Sequence, residues 1–495
     1  MQFPEYDQLD AIALAELIRN GDVSPSEVLE AAIERIEARN PKLNAVVLPL
    51  FERAREHVDK LPDGPFRGVP FMLKDLKAAL VGTPTSNSCK LQVNEQPTQN
   101  SHNVDRYLEA GLQIVGKTNT PEFGIMGITE PDLRGPCRNP WSLDHTPGGS
   151  SGGAASAVAA RLVPVAHAGD GGGSIRIPAS ACGLFGLKPT RGRVSQAPFR
   201  GESWGGFVQE HIVSRSVRDS AAILDLTDSP VPGDPYWAPP KQRPWLEEVG
   251  ADPGKLKIAL YRDTLFAGTL HADCKDAVDD AAKLLTDLGH DVEEACPPFD
   301  RDELVRAYFI VVASGVANFV EDAARKAGKK PDHRDFEPRT WILAQVGWTF
   351  NAADLERARG DMQRNARKVA QFFEDYDLFV SSTHGVPPTR IGELDLTAGQ
   401  RFQLGVLRNL PLRALLEKAL DTMGNDALAR TPNTQLFNQT GQPAMSVPLF
   451  WNQAGIPIGT QIAARFGDEA TLFRIAAQLE EARPWANKPG WDKHF

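Results

Sequence analysis

The residues PGGSSGGAASAVAA (147–160) place six glycines and serines directly before an alanine-rich segment typical of a helix. Glycine allows the backbone to approach a ligand closely, and the N-terminus of a helix presents unpaired N–H groups. We therefore expect the loop GGSSGG (148–153) to serve a ligand or a reaction rather than packing. Three interpretations are open: a phosphate cradle, a turn that carries a nucleophile, or a linker.

On both sides of this loop, short β-branched segments alternate with alanine-rich segments. Predicted strands cover residues 69–73, 113–118, 163–168, 256–261, 378–383 and 445–450. Ser24 and Glu27 flank a proline as in a capping box, which predicts a helix that begins there and ends before Pro41. The alternation predicts an α/β fold whose sheet, largely parallel or mixed, is covered by helices.

The sequence predicts a single domain over residues 1–495, without internal repeats. The proline-rich stretch 229–245 is the best candidate for a connection between two halves, and the strand pattern resumes after it. The predicted parts are N-terminal helices (1–60), a core (61–228, 255–300 and 440–495) and a peripheral elaboration around the substrate pocket (about 300–440).

Composition excludes several classes of protein. With 54 basic and 64 acidic residues the net charge is −10, so we expect neither a nucleic-acid partner nor binding to an anionic membrane. No secretory signal and no apolar run long enough to span a bilayer are predicted, which favours the cytoplasm. The five cysteines form no Cys-x-x-Cys pair and the ten histidines no His-x-x-x-His pair. We therefore expect buried free thiols and no metal site.

The phosphate-cradle interpretation has one further candidate, GLQIVGKT (111–118), which matches the P-loop pattern letter for letter. A P-loop needs a flexible loop inside the motif and a helix directly after it. Here the variable positions are strand-like, and Pro121 interrupts the segment that follows. The match is predicted to be accidental.

A second interpretation is the nucleophile elbow of α/β hydrolases. The pattern G-x-S-x-G fits GGSSGG with either Ser150 or Ser151 in the centre. An elbow requires a strand that runs directly into the motif and a histidine downstream. The preceding CRNPWSLDHTP is typical of a loop rather than of a strand. His384 is the one well-placed histidine, and a lone histidine in a loop is more often structural than catalytic. The elbow interpretation is therefore weak.

A third interpretation combines the loop with two other segments. Lys74 ends the apolar run in VPFMLKDL (69–76), where poor solvation lowers the pKa of an amine and makes it a candidate base. In GDGGGSIRIPAS (169–180), Ser174 follows Gly171, Gly172 and Gly173, whose N–H groups are candidate oxyanion donors. Together these residues predict a serine–serine–lysine relay that activates a nucleophile.

These motifs resemble the amidase signature family. The resemblance rests on GVPFMLKD, GKTNTPEF, PGGSSGGAASAVAA, GDGGGSIRIPASACGLFGLKPTRGRVS and NQTGQPAMSVPLFWNQAGIPIGTQI, which run through most of the chain. It implies a single α/β domain with a mixed sheet sandwiched between helices, and amide hydrolysis through an acyl-enzyme without metal or other cofactor.

The resemblance also assigns roles to residues. It implies that Ser174 is the acylated nucleophile, that Ser150 is a bridging serine after a cis peptide bond, and that Lys74 is the base. Ser151 would support the relay by hydrogen bonding. Asp170 and Arg176 would form a structural framework for the loop.

Three functions follow as hypotheses. Within the family the chain resembles bacterial hydrolases of nylon-type cyclic amides, aryl acylamides and carbamates, so a small-molecule amide is the expected substrate. A homodimer is the assembly considered. The alternative is the glutaminase subunit of a tRNA-dependent amidotransferase, but Thr431 or Asn433 stands where its acidic residue is expected. A non-catalytic binding protein on the same fold is the third. The candidate pocket residues are Phe123, Gly124, Ile125, Met126, Phe309, Trp341, Phe350 and Trp451.

Overall fold

The structure is a computed structural model that describes residues 3–397, 399–400 and 428–495. The described strands are β1 (Val46–Pro49), β2 (Pro70–Lys74), β3 (Gln113–Thr118), β4 (Val165–Asp170), β5 (Phe185–Lys188), β6 (Gln209–Ser214), β7 (Lys257–Leu260), β8 (Asp291–Glu294), β9 (Leu378–Ser382), β10 (Ala444–Trp451) and β11 (Pro457–Ala464). All six predicted strands are confirmed within two residues at each end.

The described α-helices follow in chain order. They are α1 (Ala11–Asn20), α2 (Pro25–Leu43), α3 (Phe51–His57), α4 (His102–Glu109), α5 (Gly152–Ala159), α6 (Arg176–Cys182), α7 (Val217–Thr227), α8 (Ala272–Asp287), α9 (Arg301–Lys326), α10 (Pro338–Gly347), α11 (Ala352–Asp375), α12 (Gln435–Thr440) and α13 (Glu469–Ala482). Residues 398 and 401–427 of the predicted peripheral elaboration lie outside the described residues.

The strands form one mixed sheet in the order β1-β3-β2-β4-β6-β5-β10-β11-β9-β7-β8. Two groups of three neighbours, β3-β2-β4 and β9-β7-β8, are parallel. The remaining neighbours are antiparallel. The predicted mixed α/β fold is therefore confirmed.

Helices cover both faces of the sheet, as alternate residues of β9 show. Leu378 and Val380 pack into a core that α8 and α13 complete. Phe379, between them, points to the opposite face and packs with α9 and α11. Because successive strand residues face opposite sides, a strand buried on both faces has apolar residues at consecutive positions.

Helix α2 begins as predicted and ends later than predicted. The Oγ of Ser24 accepts from the N–H of Glu27, and the side chain of Glu27 accepts from the N–H of Ser24. The predicted capping box is therefore confirmed. The helix continues through Pro41 to Leu43. Proline lacks the N–H that the helix would use at this position, and the helix ends two residues after it. Asn44 ends it in a left-handed conformation (φ 52°), with its N–H donated to the carbonyl of Asn40.

Two predictions from composition need correction. Four of the cysteines are buried, but Cys296 is exposed, because it follows β8 at the edge of the sheet. Helix α9, with 26 residues and a mean hydropathy of 1.5 in its most apolar window, is long and apolar enough to cross a membrane. It packs against α10 and α11, and about half of that window is buried, as in the core helices of many proteins.

Candidate active site

The site forms where two parallel neighbouring strands end. Strands β2 and β4 pair in parallel, so their last residues, Lys74 and Asp170, reach the same edge of the sheet. The loop GGSSGG precedes α5, and α5 packs against both strands. Loops at the carboxyl ends of parallel strands are the usual place for ligand sites in open α/β sheets.

Lys74 contacts both serines of the glycine-rich loop. Its Nζ lies 2.7 Å from the Oγ of Ser150 and 2.9 Å from the Oγ of Ser151. The peptide bond between Gly149 and Ser150 is cis. The Oγ of Ser151 also lies 3.3 Å from both the carbonyl oxygen and the amide nitrogen of Gly169. Lys74 and the two serines thus form one buried hydrogen-bonded group.

The amine of Lys74 has an unusual proton affinity. Burial lowers its pKa from 10.5 to about 7, although the carboxylates of Glu210 and Asp170 act in the opposite direction. The adjacent Asp75 faces away, and its carboxylate accepts from the N–H and hydroxyl of Ser86. A lysine without a directly paired carboxylate therefore holds a substantial neutral fraction near pH 7.

The loop 171–174 connects β4 to α6 and is held by Asp170. The carboxylate of Asp170 accepts from the N–H of Gly173 at 2.6 Å and from the N–H of Ile175 at 3.2 Å. Gly173 was predicted to be an oxyanion donor, but its N–H has this partner. Within the described chain no hydrogen bond occupies the N–H of Gly171, Gly172 or Ser174.

Asp170 is in turn fixed by a buried arginine. Arg176 makes two bonds to its carboxylate, at 2.9 and 3.0 Å, and both side chains are fully buried. Burial raises the pKa of Asp170, but the charge and hydrogen bonds of Arg176 outweigh this effect and hold the pKa below its usual value. Arg176 also donates to Gln461 and Asn438. This network ties the loop to β11 and α12.

Two cavities meet at Ser174, which is half-buried. A small cavity of about 30 Å³ is lined by Lys74, Ser150 and Ser174 together with Gly171. A larger cavity of about 170 Å³ is also lined by Ser174. Ser174 therefore borders both the space around the buried lysine group and the larger cavity.

The walls of the larger cavity include four of the predicted pocket residues: Gly124, Ile125, Met126 and Phe309. Phe123 lines the small cavity instead. Trp341 and Phe350 pack among the helices α9 to α11, and Trp451 packs on Trp141 with ring centroids 5.6 Å apart. These three residues lie outside the lining of the larger cavity. The sequence could not show this, because an apolar side chain looks the same in sequence whether it lines a pocket or packs in a core.

Several lining residues were not predicted. Trp204, Tyr308, Arg339, His384 and Gln435 all border the larger cavity. Tyr308 precedes the predicted Phe309 on α9, so an aromatic pair was visible in the sequence. The others come from α10, α12 and loops that are distant in sequence, and no local pattern marks them.

The competing interpretations of the sequence lose their support. QIVGKT is strand β3, and the Lys117 ammonium donates to Pro84 and Thr85 rather than facing an open loop. The Nε2 of His384 lies 3.0 Å from the carbonyl oxygen of Ile177, so it carries a proton and donates. Among the described residues, no cluster of His, Cys, Asp and Glu has the composition to hold a metal ion.

Comparisons with known proteins agree with this fold. A family model described as Amidase matches residues 27–473. The 6-aminohexanoate-cyclic-dimer hydrolase of Paenarthrobacter ureafaciens is 38% identical over 488 residues, which cover 97% of this chain and 96% of that protein.

Two solved structures are similar over nearly the whole chain. That of a 6-aminohexanoate cyclic dimer hydrolase has a TM-score of 0.90 at 37% identity, covering 97% of this chain and 98% of the other. That of a bacterial aryl acylamidase has a TM-score of 0.85 at 27% identity, covering 98% of each chain. Fold and family model define an α/β amidohydrolase. The chain belongs to the amidase family.

Proposed function

We propose that this chain is a serine hydrolase that cleaves the C–N bond of neutral amides, with Ser174 as nucleophile, Ser150 as proton bridge and Lys74 as base. The observation that carries the proposal is the 2.7 Å contact between Lys74 and Ser150 in a cavity that Ser174 also lines. A serine hydroxyl needs an adjacent base to become a nucleophile, and a desolvated lysine is one such base.

The acylation step conserves every proton. The Oγ of Ser174 attacks the amide carbonyl, its proton passes to Ser150, and the proton of Ser150 passes to neutral Lys74. The C–N bond then breaks, and the proton returns from Lys74 through Ser150 to the leaving nitrogen. This return is needed because an amide anion is a poor leaving group. Water attacks the resulting ester by the same route and releases the acid.

The negative charge on the carbonyl oxygen is stabilised by backbone donors. The N–H groups of Gly171, Gly172 and Ser174 are free for this role, whereas that of Gly173 bonds to Asp170. Removing one such donor typically costs about 2.7–4 kcal/mol of transition-state stabilisation. Asp170 and Arg176 act as positioning residues, since they hold the loop without lining either cavity.

The larger cavity favours a neutral substrate. Its described lining is mostly apolar, its charged members are Arg339 and Arg430, and it contains no described aspartate or glutamate. A substrate ammonium would meet two guanidinium groups and no carboxylate in this lining, although Arg430 is itself paired with Glu393 outside it, so the lining offers an ammonium no direct partner. Cyclic amides and acylated anilines carry no such charge, and related proteins act on a 6-aminohexanoate cyclic dimer and on aryl acylamides by name.

The glutaminase alternative is not favoured by the same cavity. Glutamine carries an α-ammonium group that needs a carboxylate. Asn433 is buried, and its side chain bonds to the backbone of Leu265 and Ser382. Thr431 lines the larger cavity but has no charge. Glutamine is therefore expected to be a poor substrate.

A panel of amides tests the proposal. The purified chain is assayed against cyclic and linear 6-aminohexanoate oligomers, acyl anilides, carbamates and glutamine, with Ser174→Ala as the control. We expect turnover of neutral amides, little with glutamine, and none in the control. A fluorophosphonate probe should label Ser174 and no other residue. Glutamine as the preferred substrate, or absence of both labelling and turnover, would contradict the proposal, the latter in favour of a binding protein.

A further inference from the structure

A second cavity of about 170 Å³ lies behind the site, and the amidase mechanism does not use it. It shares the wall residues Leu76, Lys77, Phe123 and Glu210 with the small cavity around Lys74. It shares no lining residue with the larger cavity at Ser174. A ligand could therefore occupy it together with an amide substrate.

Two cations of this cavity rest on the same aromatic ring. The Nζ of Lys77 lies 5.2 Å and the Cζ of Arg200 lies 4.7 Å from the ring centroid of Phe319. In the described part of the chain, neither cation has a carboxylate oxygen within 4.0 Å. Burial, then the charge of Arg200, hold the pKa of Lys77 well below its usual value. An anion between the two groups would stabilise the charged form of Lys77, because an opposite charge nearby favours ionisation.

The acidic residues around the cavity have closer contacts than Lys77 and Arg200. Burial lowers the pKa of Arg200, although the charges of Asp322 and Glu210 act to raise it. The ammonium of Lys326 lies 2.5 Å from Glu95 and 3.4 Å from Asp322. Glu210 accepts a hydrogen bond from the side-chain amide of Asn103 at 2.8 Å, and its carboxylate lies 3.6 Å from His167. Lys77 and Arg200 are thus the basic groups of the described lining that lie outside a direct ion pair, whereas Lys326 contacts Glu95 and Asp322.

One side of the cavity is apolar, whereas Asn87, Gln92 and Gln196 are among the polar residues that line the rest. Phe123 and Phe319 pack with ring centroids 5.8 Å apart at one side, and Leu76 lies beside them. Phe199 also lines the cavity, although it is 47% exposed. A ligand in the cavity would cover part of this ring, and ligand pockets are commonly lined by aromatic side chains.

We propose that this second cavity binds a small organic carboxylate, with the carboxylate between Lys77 and Arg200 and an apolar body against Phe319 and Phe199. The guanidinium of Arg200 offers two parallel donors, which match the two oxygens of a carboxylate. Because the cavity is separate from the space at Ser174, the ligand does not compete with an amide substrate. The cavity is a second ligand site of the chain.

Calorimetric titration with hexanoate tests the proposal, with hexanol and acetate as comparisons. Hexanol has the apolar body without the charge, and acetate has the charge without the body. We expect hexanoate to bind with one site per chain and both comparisons to bind more weakly. Arg200→Gln should weaken hexanoate binding about 10- to 100-fold, since a charge-assisted hydrogen bond is lost. Lys77→Met is the second variant, and thermal melting verifies that both fold.

Arg339→Gln is the matched control, because Arg339 lines the larger cavity where an acid product would sit. We expect this variant to bind hexanoate as the unchanged chain does, and a chain labelled at Ser174 to bind it too. Weakening by Arg339→Gln but not by Arg200→Gln, or no binding at all, would overturn the proposal. These measurements do not depend on turnover. The carboxylate proposal can therefore fail while the amidase function stands, and the amidase function can fail while the carboxylate proposal stands.

Discussion

The Nζ of Lys74 lies 2.7 Å from the Oγ of Ser150, although 76 positions separate the two residues in the chain. Lys74 ends β2, and Ser150 lies in the loop before α5. The contact joins a buried amine to a serine that lines the small cavity together with Ser174. The reactivity of the site is therefore expected to depend on the protonation of this one amine.

The first prediction concerns pH. Burial lowers the pKa of Lys74 to about 7, and the ammonium form cannot accept a proton. For a non-ionising amide, kcat/KM should therefore rise with pH, reach half of its maximum at about pH 7 and level off above it. Lys74→Met should remove this limb with most of the activity. A half-maximum at pH 4 to 5, about the range of a carboxylate, would show that another group is the base.

The second prediction separates the two serines. Ser174→Ala should abolish both turnover and labelling by a fluorophosphonate, because the nucleophile itself is removed. Ser150→Ala removes only the proton bridge, so the rate should fall by about 10²–10⁴-fold while slow labelling of Ser174 persists. Both are measured by burst and steady-state kinetics. Equal small losses in the two variants would instead favour Ser151 or a different nucleophile.

The third prediction concerns the loop framework. Asp170→Asn removes the charge that faces the buried Arg176, and an unpaired buried charge typically costs about 3–5 kcal/mol of stability. We expect a large fall in the free energy of unfolding, measured in urea. Asp332→Asn breaks a comparable contact to Arg334 at the exposed surface and should change little. Similar effects of the two substitutions would contradict the structural role of Asp170.

The fourth prediction concerns the space beside Gly172. A Cβ atom at Gly172 would lie 2.5 Å from the hydroxyl of Tyr308 but 3.5 Å from its ring carbon. Gly172→Ala should therefore displace the loop and lower kcat by about 10²-fold, the effect of losing one oxyanion donor. Combining it with Tyr308→Phe removes the clash and should restore part of the rate. No rescue in the double variant would mean that the loop is not displaced by this contact.

The fifth prediction concerns metals. The proposed chemistry uses Lys74, Ser150 and Ser174 with backbone donors, and none of its steps needs a metal ion. Prolonged dialysis against a chelator should leave kcat and KM unchanged within error. Activity that is lost on chelation and returns with zinc or manganese would refute the relay as the complete mechanism.

Much of the site was predictable because glycine and serine runs carry a local signal. GGSSGG and GDGGGS indicate backbone N–H groups that no side chain covers, and Lys74 ends an apolar strand. The sequence could therefore name the three residues of the proposed relay, which the structure brings to one small cavity. The strands could be named for a similar reason, since buried parallel strands are continuous apolar runs. The end of α2 could not, because the effect of Pro41 depends on its distance from the helix end.

The sequence by itself determined the fold class and the strands and indicated the residues of the proposed relay, because these depend on neighbours along the chain. Only the tertiary structure decided which donors are free and which aromatic residues border a cavity. The N–H of Gly173 is occupied by Asp170, and Trp451 packs against Trp141, through contacts that no local pattern encodes. The pairing of Lys77 with Arg200 on Phe319 is of the same kind, since it joins three distant segments. Burial and partner identity are properties of the folded chain, and they set the pKa of Lys74 and the chemistry of both cavities.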